Sequence, residues 1–530
     1  MGGFKCGIEI HQRLGSAHKL FCSCANRSGA DDLDGSVERK MRIVAGELGE
    51  IDPAAIHEFK RDRTFVYQIY KNEDCLVEMD EEPPHALNPE AIDIALEVCL
   101  LLGATAVDEI HVMRKIVIDG SNTGGFQRTA IIGLDGKLET SKGLVRIPTI
   151  CLEEESAGIV EANEKTVYRL DRLGMPLVEI ATAPDVKDAA HAREVAEKLG
   201  ELLRATGKVQ RGIGTIRQDV NVSIEGGARI EIKGAQALED IQKLVENEAA
   251  RQKKLIEIIG EMRKRRIKKE KGEPKIADVT RAFSKTESKI IKKVVEGGGK
   301  VLAVLLPNFS GLLGKELYGG RRFGTEVSDY AKPAGVRGLI HSDENLKKYD
   351  ISENEIKAIR DVLHAKENDA FILVAATEET ARKALTLAFE RAHLEVVPEE
   401  TRRAIAGGGS EYMRPLPGSA RLYPETDVPP VALAKERIER IRASLPEKPD
   451  EKRKKLESAL GGELREKIIR SKNLRLFEKV VEELGVDATL VASTLEETLV
   501  SLRRAGVEVE KIGEEKIYEL FGEYSKNKFV

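Results

Sequence analysis

Cys6-Gly7-Ile8-Glu9-Ile10-His11 opens the chain with a two-residue alternation that puts Ile8 and Ile10 on one face and Glu9 and His11 on the other. That is a strand with one side buried and an open side carrying a carboxylate and an imidazole. Strand character returns at Glu109–Arg114, Ile116–Ile118, Gly143–Ile147, Leu177–Ile180 and Arg229–Lys233. In Arg217-Gln-Asp219-Val-Asn221-Val-Ser223 the polar residues again alternate with valines, and Glu153-Glu154-Glu155 closes another apolar run. Helical spacing falls over Ala91–Leu102 and over Ala189–Thr206, where Val195, Leu199, Leu202 and Leu203 share a face. The expected fold is α+β. A half-buried sheet always has a polar side, so any one strand is unremarkable. Acidic, imidazole, Arg and Lys residues recurring on several strands suit a hard-oxygen Mg2+ site with basic groups for phosphate.

A long helical pattern, Leu238 to Met262, ends in the basic runs Arg263–Arg266 and Lys268–Lys271, and Gly272-Glu273-Pro274 stops it. The simple reading of that charge is a solvated helix end facing the helix dipole. A self-contained pattern follows: helix Lys285–Val295, strand Val301–Leu306, a Gly-rich stretch Gly311–Gly324, strand Ala370–Ala375 and helix Glu378–His393. It reads as an inserted domain. The glycines of Ala406-Gly-Gly-Gly-Ser410 are expected where the chain crosses back into the first domain. Charged helices with apolar stripes such as Leu474, Leu476, Val480 and Leu484 fill the remainder.

The 530 residues carry 85 Lys+Arg against 90 Asp+Glu, so bulk charge argues against unspecific coating of nucleic acid. With no Trp and 4% aromatics, base-stacking platforms for single strands are a poor fit. No signal peptide or membrane span is visible, and six Cys without a framework of spacings fit a reducing, cytoplasmic setting. Cys22-Ser23-Cys24 has no second close pair among Cys6, Cys75, Cys99 and Cys151, so spacing supports no tetrahedral zinc site and the cysteines read as packing residues. Gly297–Lys300 and Gly314-Lys315 lack the GK[ST] of a phosphate loop. Nothing resembles an amidase centre, so this chain does not release ammonia from an amide donor.

Gly7-Ile-Glu-Ile-His11, Lys19-Leu-Phe-Cys-Ser-Cys24, Asp80-Glu-Glu-Pro-Pro-His85, Asp119-Gly-Ser-Asn-Thr-Gly124, Ile150-Cys-Leu-Glu-Glu154, Arg172-Leu-Gly-Met-Pro-Leu-Val-Glu179, Arg217–Ser223 and Tyr423-Pro-Glu-Thr-Asp-Val-Pro-Pro430 together resemble the GatB/GatE family. The inserted segment, with Phe323-Gly-Thr-Glu326 and Gly335-Val-Arg-Gly-Leu-Ile340, looks like the domain shared with bacterial-type aspartyl-tRNA synthetases, which points to the archaeal GatE branch. The resemblance implies a glutamine-synthetase-like cradle over residues 1–275 and 396–432, the insertion over 276–395, a helical domain over 433–530 and usually a small C-terminal tail domain, which is expected to be absent from this chain. It also implies ATP-dependent phosphorylation of the γ-carboxylate of glutamate mischarged on tRNA(Gln), followed by displacement of phosphate by ammonia. ATP and Mg2+ are expected, with glutamyl-tRNA(Gln) as substrate. GatD, an asparaginase-like protein, would supply ammonia in a heterodimer that dimerises further. The family's motif positions put Glu9, His11 and Glu154 on the metal, with Asp219 and Glu231 as further acidic candidates and Arg217 and Lys233 facing phosphate. A synthetase reading, suggested by the insertion alone, lacks the paired-Arg ATP motifs.

Overall fold

The computed structural model describes residues 3–29, 31–43, 49–59, 62–162, 165–268, 272–418 and 422–526. Met1, Gly2, Val530 and the Lys269–Lys271 end of the basic run lie outside the described residues.

The alternating segments build one long sheet from β1 (Lys5–Arg13), β2 (Val112–Ile116), β3 (Phe126–Thr140), β4 (Gly143–Glu154), β5 (Pro176–Ala181), β6 (Ile216–Ser223), β7 (Ile230–Ala235), β8 (Glu400–Ile405), β9 (Gly409–Pro415) and β10 (Leu422–Pro424). Their order is β9-β8-β7-β6-β1-β5-β4-β3-β2-β10. Neighbours on this path are antiparallel except β7 and β8. A parallel pair needs a long crossover. Here the crossover contains a long helix and a second sheet with helices of its own.

One face of the main sheet is covered by α1 (Pro89–Leu101), α2 (Ala189–Ala205) and the start of α3 (Leu238–Lys264). Ile8, Ile10, Ile150, Leu152, Ile180 and Val220 bury there against Ile92, Leu96, Val195, Leu199 and Ile241. Each such side chain contributes about 1.5–3 kcal/mol. Asn88 and Asp188 cap the two shorter helices through their side chains, accepting from the amides of Glu90 and Ala91 and of His191. Among the described residues no helix is long and apolar enough to cross a membrane.

The second sheet, all antiparallel, runs in the order Ile276–Asp278, Lys300–Leu306, Ala370–Ala376, Ile340–His341. Helices Phe323–Ala331 and Glu378–Ala392 cover one face, and Lys289–Glu296 and Glu353–Leu363 the other. The 27-residue α3 belongs to both cores: Ile241, Leu244 and Val245 pack under the main sheet, and Leu255, Ile258, Ile259 and Met262 under the second. Between these patches Arg251, fully buried, joins a charge cluster. Glu326 takes Arg251 at 2.7 Å and Arg402 at 3.0 Å and also pairs with Arg391, while Glu400 takes Arg391 at 2.9 Å and Arg402 at 2.6 Å. The cluster ties α3, β8 and both helices on one face of the second sheet. Within the insertion, Arg321 pairs with Asp329.

The glycine run does not mark the return to the main sheet. The chain re-enters at Glu400, alongside β7, and Gly407 and Gly408, with φ of +82° and +77°, form the tip of the β8–β9 hairpin. Positive φ at two successive turn positions is why glycines stand there. The C-terminal helices gather around Phe477, Val480 and Ile468 and dock on α2, where Glu201 pairs with Arg453 at 2.7 Å and Arg470 at 2.9 Å.

Candidate functional site

The face of the main sheet turned away from these helices is the wall of a cavity of about 1670 Å³. That volume exceeds the ~300–1,000 Å³ of ordinary small-molecule sites and suits more than one ligand. Period-two alternation delivers Glu9 and His11 from β1, Arg217 and Asp219 from β6, Glu231 and Lys233 from β7, Glu179 from β5, Glu153 from β4 and Lys115 from β2. The register sets them side by side: Glu9 is opposite Asp219, and His11 lies between Glu179 on one strand and Arg217 on the other.

His11 is the hub. Its Nε2 lies 3.0 Å from Glu9 Oε1 and 3.9 Å from Asp219 Oδ2, and its Nδ1 lies 2.9 Å from Glu153 Oε1 and 3.8 Å from Glu179 Oε2. Burial alone would favour neutral imidazole, but the hydrogen bonds to Glu153 and Glu9 and the surrounding carboxylates hold its pKa well above the usual value. Glu9 shows the reciprocal effect. Burial opposes its ionisation, yet His11, Lys233 and Lys115 pull it down to about 2. Burial pushes Glu179 up to about 7, with Lys115 only partly offsetting it. Lys115 spans Glu153 at 3.0 Å and Glu179 at 3.2 Å, and Lys233 spans Asp219 at 2.7 Å and Glu231 at 3.0 Å. Thr401 of β8 donates to Glu231 at 2.9 Å.

Five carboxylates thus share two lysines and one imidazole, a negative excess that a divalent cation would neutralise. Glu9, His11 and Glu179 each present a ligand atom within 4.8 Å of the others. Carboxylate oxygens with one imidazole fit Mg2+ or Mn2+.

The residues expected from the sequence divide. Glu9, His11, Asp219, Glu231 and Lys233 meet on the cavity face, with Arg217 at their edge. Lys233 is held between carboxylates rather than presented to an incoming anion. Glu154 is a correction: it shares the parity of Ile150 and Leu152, so it leaves the opposite face of β4. There it accepts from the Arg128 amide at 2.8 Å, lines a separate small cavity with Phe21 and Glu78, and is raised by burial to about 7. Glu153 takes the place assigned to it. Counting alternately from the buried Ile150 and Leu152 leaves Glu153 on the open face. Lys115 and Glu179 stand in strands legible from sequence, but nothing local distinguishes them from solvated polar positions.

A second group overturns the spacing argument about the cysteines. Cys22, Cys24, Cys75 and Glu78 each offer an atom within 4.8 Å of one another. Glu78 lies 2.9 Å from Cys22 Sγ, 3.1 Å from Cys75 Sγ and 4.0 Å from Cys24 Sγ, and it also accepts from the Cys75 amide. Hydrogen bonds from Cys22 and Cys75 bring the Cys24 thiol down to about 4, while Cys22 is raised in exchange. Buried Lys19 stands 3.5 Å from Glu78. Three sulfurs and an oxygen make a tetrahedral count that suits zinc. The fourth group is a carboxylate, and two segments far apart in the chain supply the set, so pairwise Cys spacing does not reveal it. Cys6 and Cys99 are buried packing residues as expected.

The family described as the GatB/GatE catalytic domain matches residues 4–439. The chain is 50% identical over 536 residues to the E component of the glutamyl-tRNA(Gln) amidotransferase of Methanocaldococcus jannaschii, covering 100% of this chain and 84% of that protein. It is 48% identical over 535 residues to the protein of the same name from Methanopyrus kandleri, covering 99% and 83%. To that of Pyrococcus furiosus it is 49% identical over 533 residues, covering 100% and 84%.

Proposed function

Because this chain belongs to the GatB/GatE family, we propose that it is the amidating subunit of a tRNA-dependent amidotransferase, converting glutamate carried on tRNA(Gln) to glutamine in the cytoplasm. In this reading the main sheet is the glutamine-synthetase-like cradle, and residues 276–395 are the counterpart of the aspartyl-tRNA synthetase domain. A carboxylate is a poor acyl donor because its leaving group would be oxide. Transfer of the ATP γ-phosphoryl group to the glutamate γ-carboxylate makes phosphate the leaving group, which ammonia then displaces. Phosphoryl transfer asks for positioning and charge neutralisation rather than a protein nucleophile.

The observation that carries the reading is the ring of Glu9, Glu153, Glu179 and Asp219 around His11 on the floor of a cavity large enough for two substrates. A divalent cation held by Glu9, His11 and Glu179 would supply the charge that nucleotide phosphates require. Glu153 fixes the His11 ring through Nδ1 and leaves Nε2 toward Glu9 and Asp219. Lys115 offsets the repulsion between Glu153 and Glu179, and Lys233 does the same for Asp219 and Glu231. Ammonia comes from an asparaginase-like partner of the GatD kind, in a heterodimer that dimerises further.

The test supplies ammonium chloride in place of the partner and follows glutaminyl-tRNA(Gln) from glutamyl-tRNA(Gln) with and without ATP. Formation only with ATP, with release of phosphate rather than pyrophosphate, is expected. Product formed without ATP, or none with it, defeats the proposal.

A further inference from the structure

The carboxylates that line the cavity are not equivalent. Glu9, Glu153, Glu179, Asp219 and Glu231 each have His11 or a lysine within 3.2 Å, and Glu109 has His111 at 3.9 Å. Asp119 lines the same cavity, yet no basic side chain among the described residues is in ion-pair contact with it. Its Oδ1 accepts from the Ser121 amide at 3.0 Å and from the Ser121 hydroxyl at 2.6 Å, while Oδ2 has no hydrogen-bond donor among the described residues. Burial opposes ionisation of this group, but Arg414, the Ser121 hydrogen bonds and Arg63 outweigh it and hold the carboxyl below its ordinary value. Arg414 arrives from β9, near the other end of the strand order from β2, because the sheet curls round the cavity.

The loop that carries Asp119 is fixed on several sides. Gly120 has a φ of +88°, and a Cβ there would stand 2.3 Å from the Phe65 ring, so this turn requires glycine. Tyr168 donates to the Asp119 carbonyl at 2.8 Å, Tyr67 to the Gly120 carbonyl at 2.8 Å, and the Ala157 amide to the Ser121 carbonyl at 2.8 Å. A fixed carboxylate with one oxygen occupied and the other open is a receptor for a cation. A divalent metal takes six or more oxygens, and one carboxylate near a guanidinium does not supply them. An organic ammonium, one charge with three N–H donors, fits. Position adds to chemistry. Lys115, Val117 and Asp119 all line the cavity, so Asp119 stands at most about 13 Å beyond Lys115 along the same wall. Lys115 itself touches Glu153 and Glu179 of the carboxylate ring.

Glutamate esterified through its α-carboxyl keeps two charges, the α-ammonium and the γ-carboxylate, about 5 Å apart when the side chain is extended. We propose that Asp119 is the anchor for the α-ammonium of the aminoacyl group, so that the γ-carboxylate is laid along Val117 toward Lys115 and the carboxylate ring. The proposal rests on the tRNA-dependent reading above and deepens it, assigning the residue by which this site tells an aminoacyl ester from an uncharged RNA end.

Affinity for charged RNA tests it without requiring turnover. The full chain is titrated with fluorescently labelled tRNA(Gln) in three forms: uncharged, carrying glutamate, and carrying the α-hydroxy analogue of glutamate, in which a neutral hydroxyl of similar size replaces the ammonium. The parent is expected to hold the glutamyl form about tenfold or more tighter than the α-hydroxy form, the scale of one charge-assisted hydrogen bond. Asp119→Asn is expected to erase that preference and to bind uncharged tRNA(Gln) as the parent does. Equal affinity of the parent for the two acylated forms overturns the proposal, whether or not the variant folds. A preference that survives in Asp119→Asn overturns it too. So does an equal loss for all three forms in the variant, since Asp119 would then serve the fold of its loop. If the parent binds tRNA(Gln) in no form, the reading beneath fails, and the anchor with it.

Discussion

Replacing Glu153 and Glu154 separately by Gln tests the face assignment, since adjacent residues of one strand differ only in parity. Glu153 accepts His11 Nδ1 at 2.9 Å and Lys115 Nζ at 3.0 Å and is 1% exposed. Two effects of Glu153→Gln on stability oppose each other. Removing one partner of a buried ion pair costs about 3–5 kcal/mol. Against that, the cluster has more carboxylates than cations, and removing one relieves repulsion from Glu179 and Glu9. The melting temperature is therefore a poor reporter, and metal affinity is a good one. A carboxylate that orients a metal-bound imidazole is worth about 10- to 100-fold in affinity, or roughly 1.4–2.7 kcal/mol. Mn2+ binding followed by electron paramagnetic resonance should show that loss for Glu153→Gln. Glu154→Gln, on the far face, should bind Mn2+ as the parent does. Equal losses in both variants, or a loss confined to Glu154→Gln, would refute the parity argument and return Glu154 to the cluster.

The thiolate group predicts that the protein purified without chelators carries about one zinc per chain; inductively coupled plasma spectrometry checks the stoichiometry, and Cys22→Ser with Cys75→Ser should abolish it while leaving Mn2+ binding at the carboxylate ring intact. Glu326→Gln leaves Arg251, Arg391 and Arg402 with too little buried counter-charge, a loss of about 3–5 kcal/mol. It should appear as faster hydrogen exchange in Phe323–Ala331 and β8, and exchange matching the parent would show the cluster to be energetically idle. The third concerns pH. Burial raises Glu154 from its ordinary 4.5 to about 7, so the folded protein holds this proton more tightly than the unfolded chain does. The associated stability, about 3 kcal/mol from the shift, is complete below pH 4.5 and lost as pH rises through 7. Glu154→Gln should remove about 3 kcal/mol of that decline from urea-unfolding profiles and leave the part due to Glu179, which burial also raises to about 7; an unchanged profile would exclude Glu154 as a contributor.

Much of this architecture is written locally. Ile8 and Ile10 against Glu9 and His11 declare both the strand and its two faces, and the spacing of Val195, Leu199 and Leu203 declares α2. The elements that escape are those whose cause is tertiary. The Ala406–Ser410 region reads as a linker because glycine marks hinges and hairpin tips alike; only the pairing of β8 with β7 separates the two. Glu154 reads as the metal residue in place of Glu153 because a motif match fixes a position but not the side of the strand it leaves. Lys115 and Glu179 draw their meaning from each other across β2 to β5, information absent from either segment. The Cys22–Cys24–Cys75–Glu78 group is the same case: no pair in sequence reveals a set that closes only when the loop after β1 meets the segment around Cys75.

Strand β8 shows how the two sheets act on one another. Glu400 and Arg402 enter the buried charge cluster with Glu326 and Arg391, which belong to the helices of the second sheet. Thr401 between them leaves the other side, pairs with Glu231 in register, and donates to its carboxylate at 2.9 Å. Glu231 shares Lys233 with Asp219, and Asp219 lies 3.9 Å from His11. Since a strand points successive side chains to opposite faces, three consecutive residues link the inserted segment to the carboxylate ring. The second sheet is therefore joined to the cavity face through β8 rather than appended to its edge.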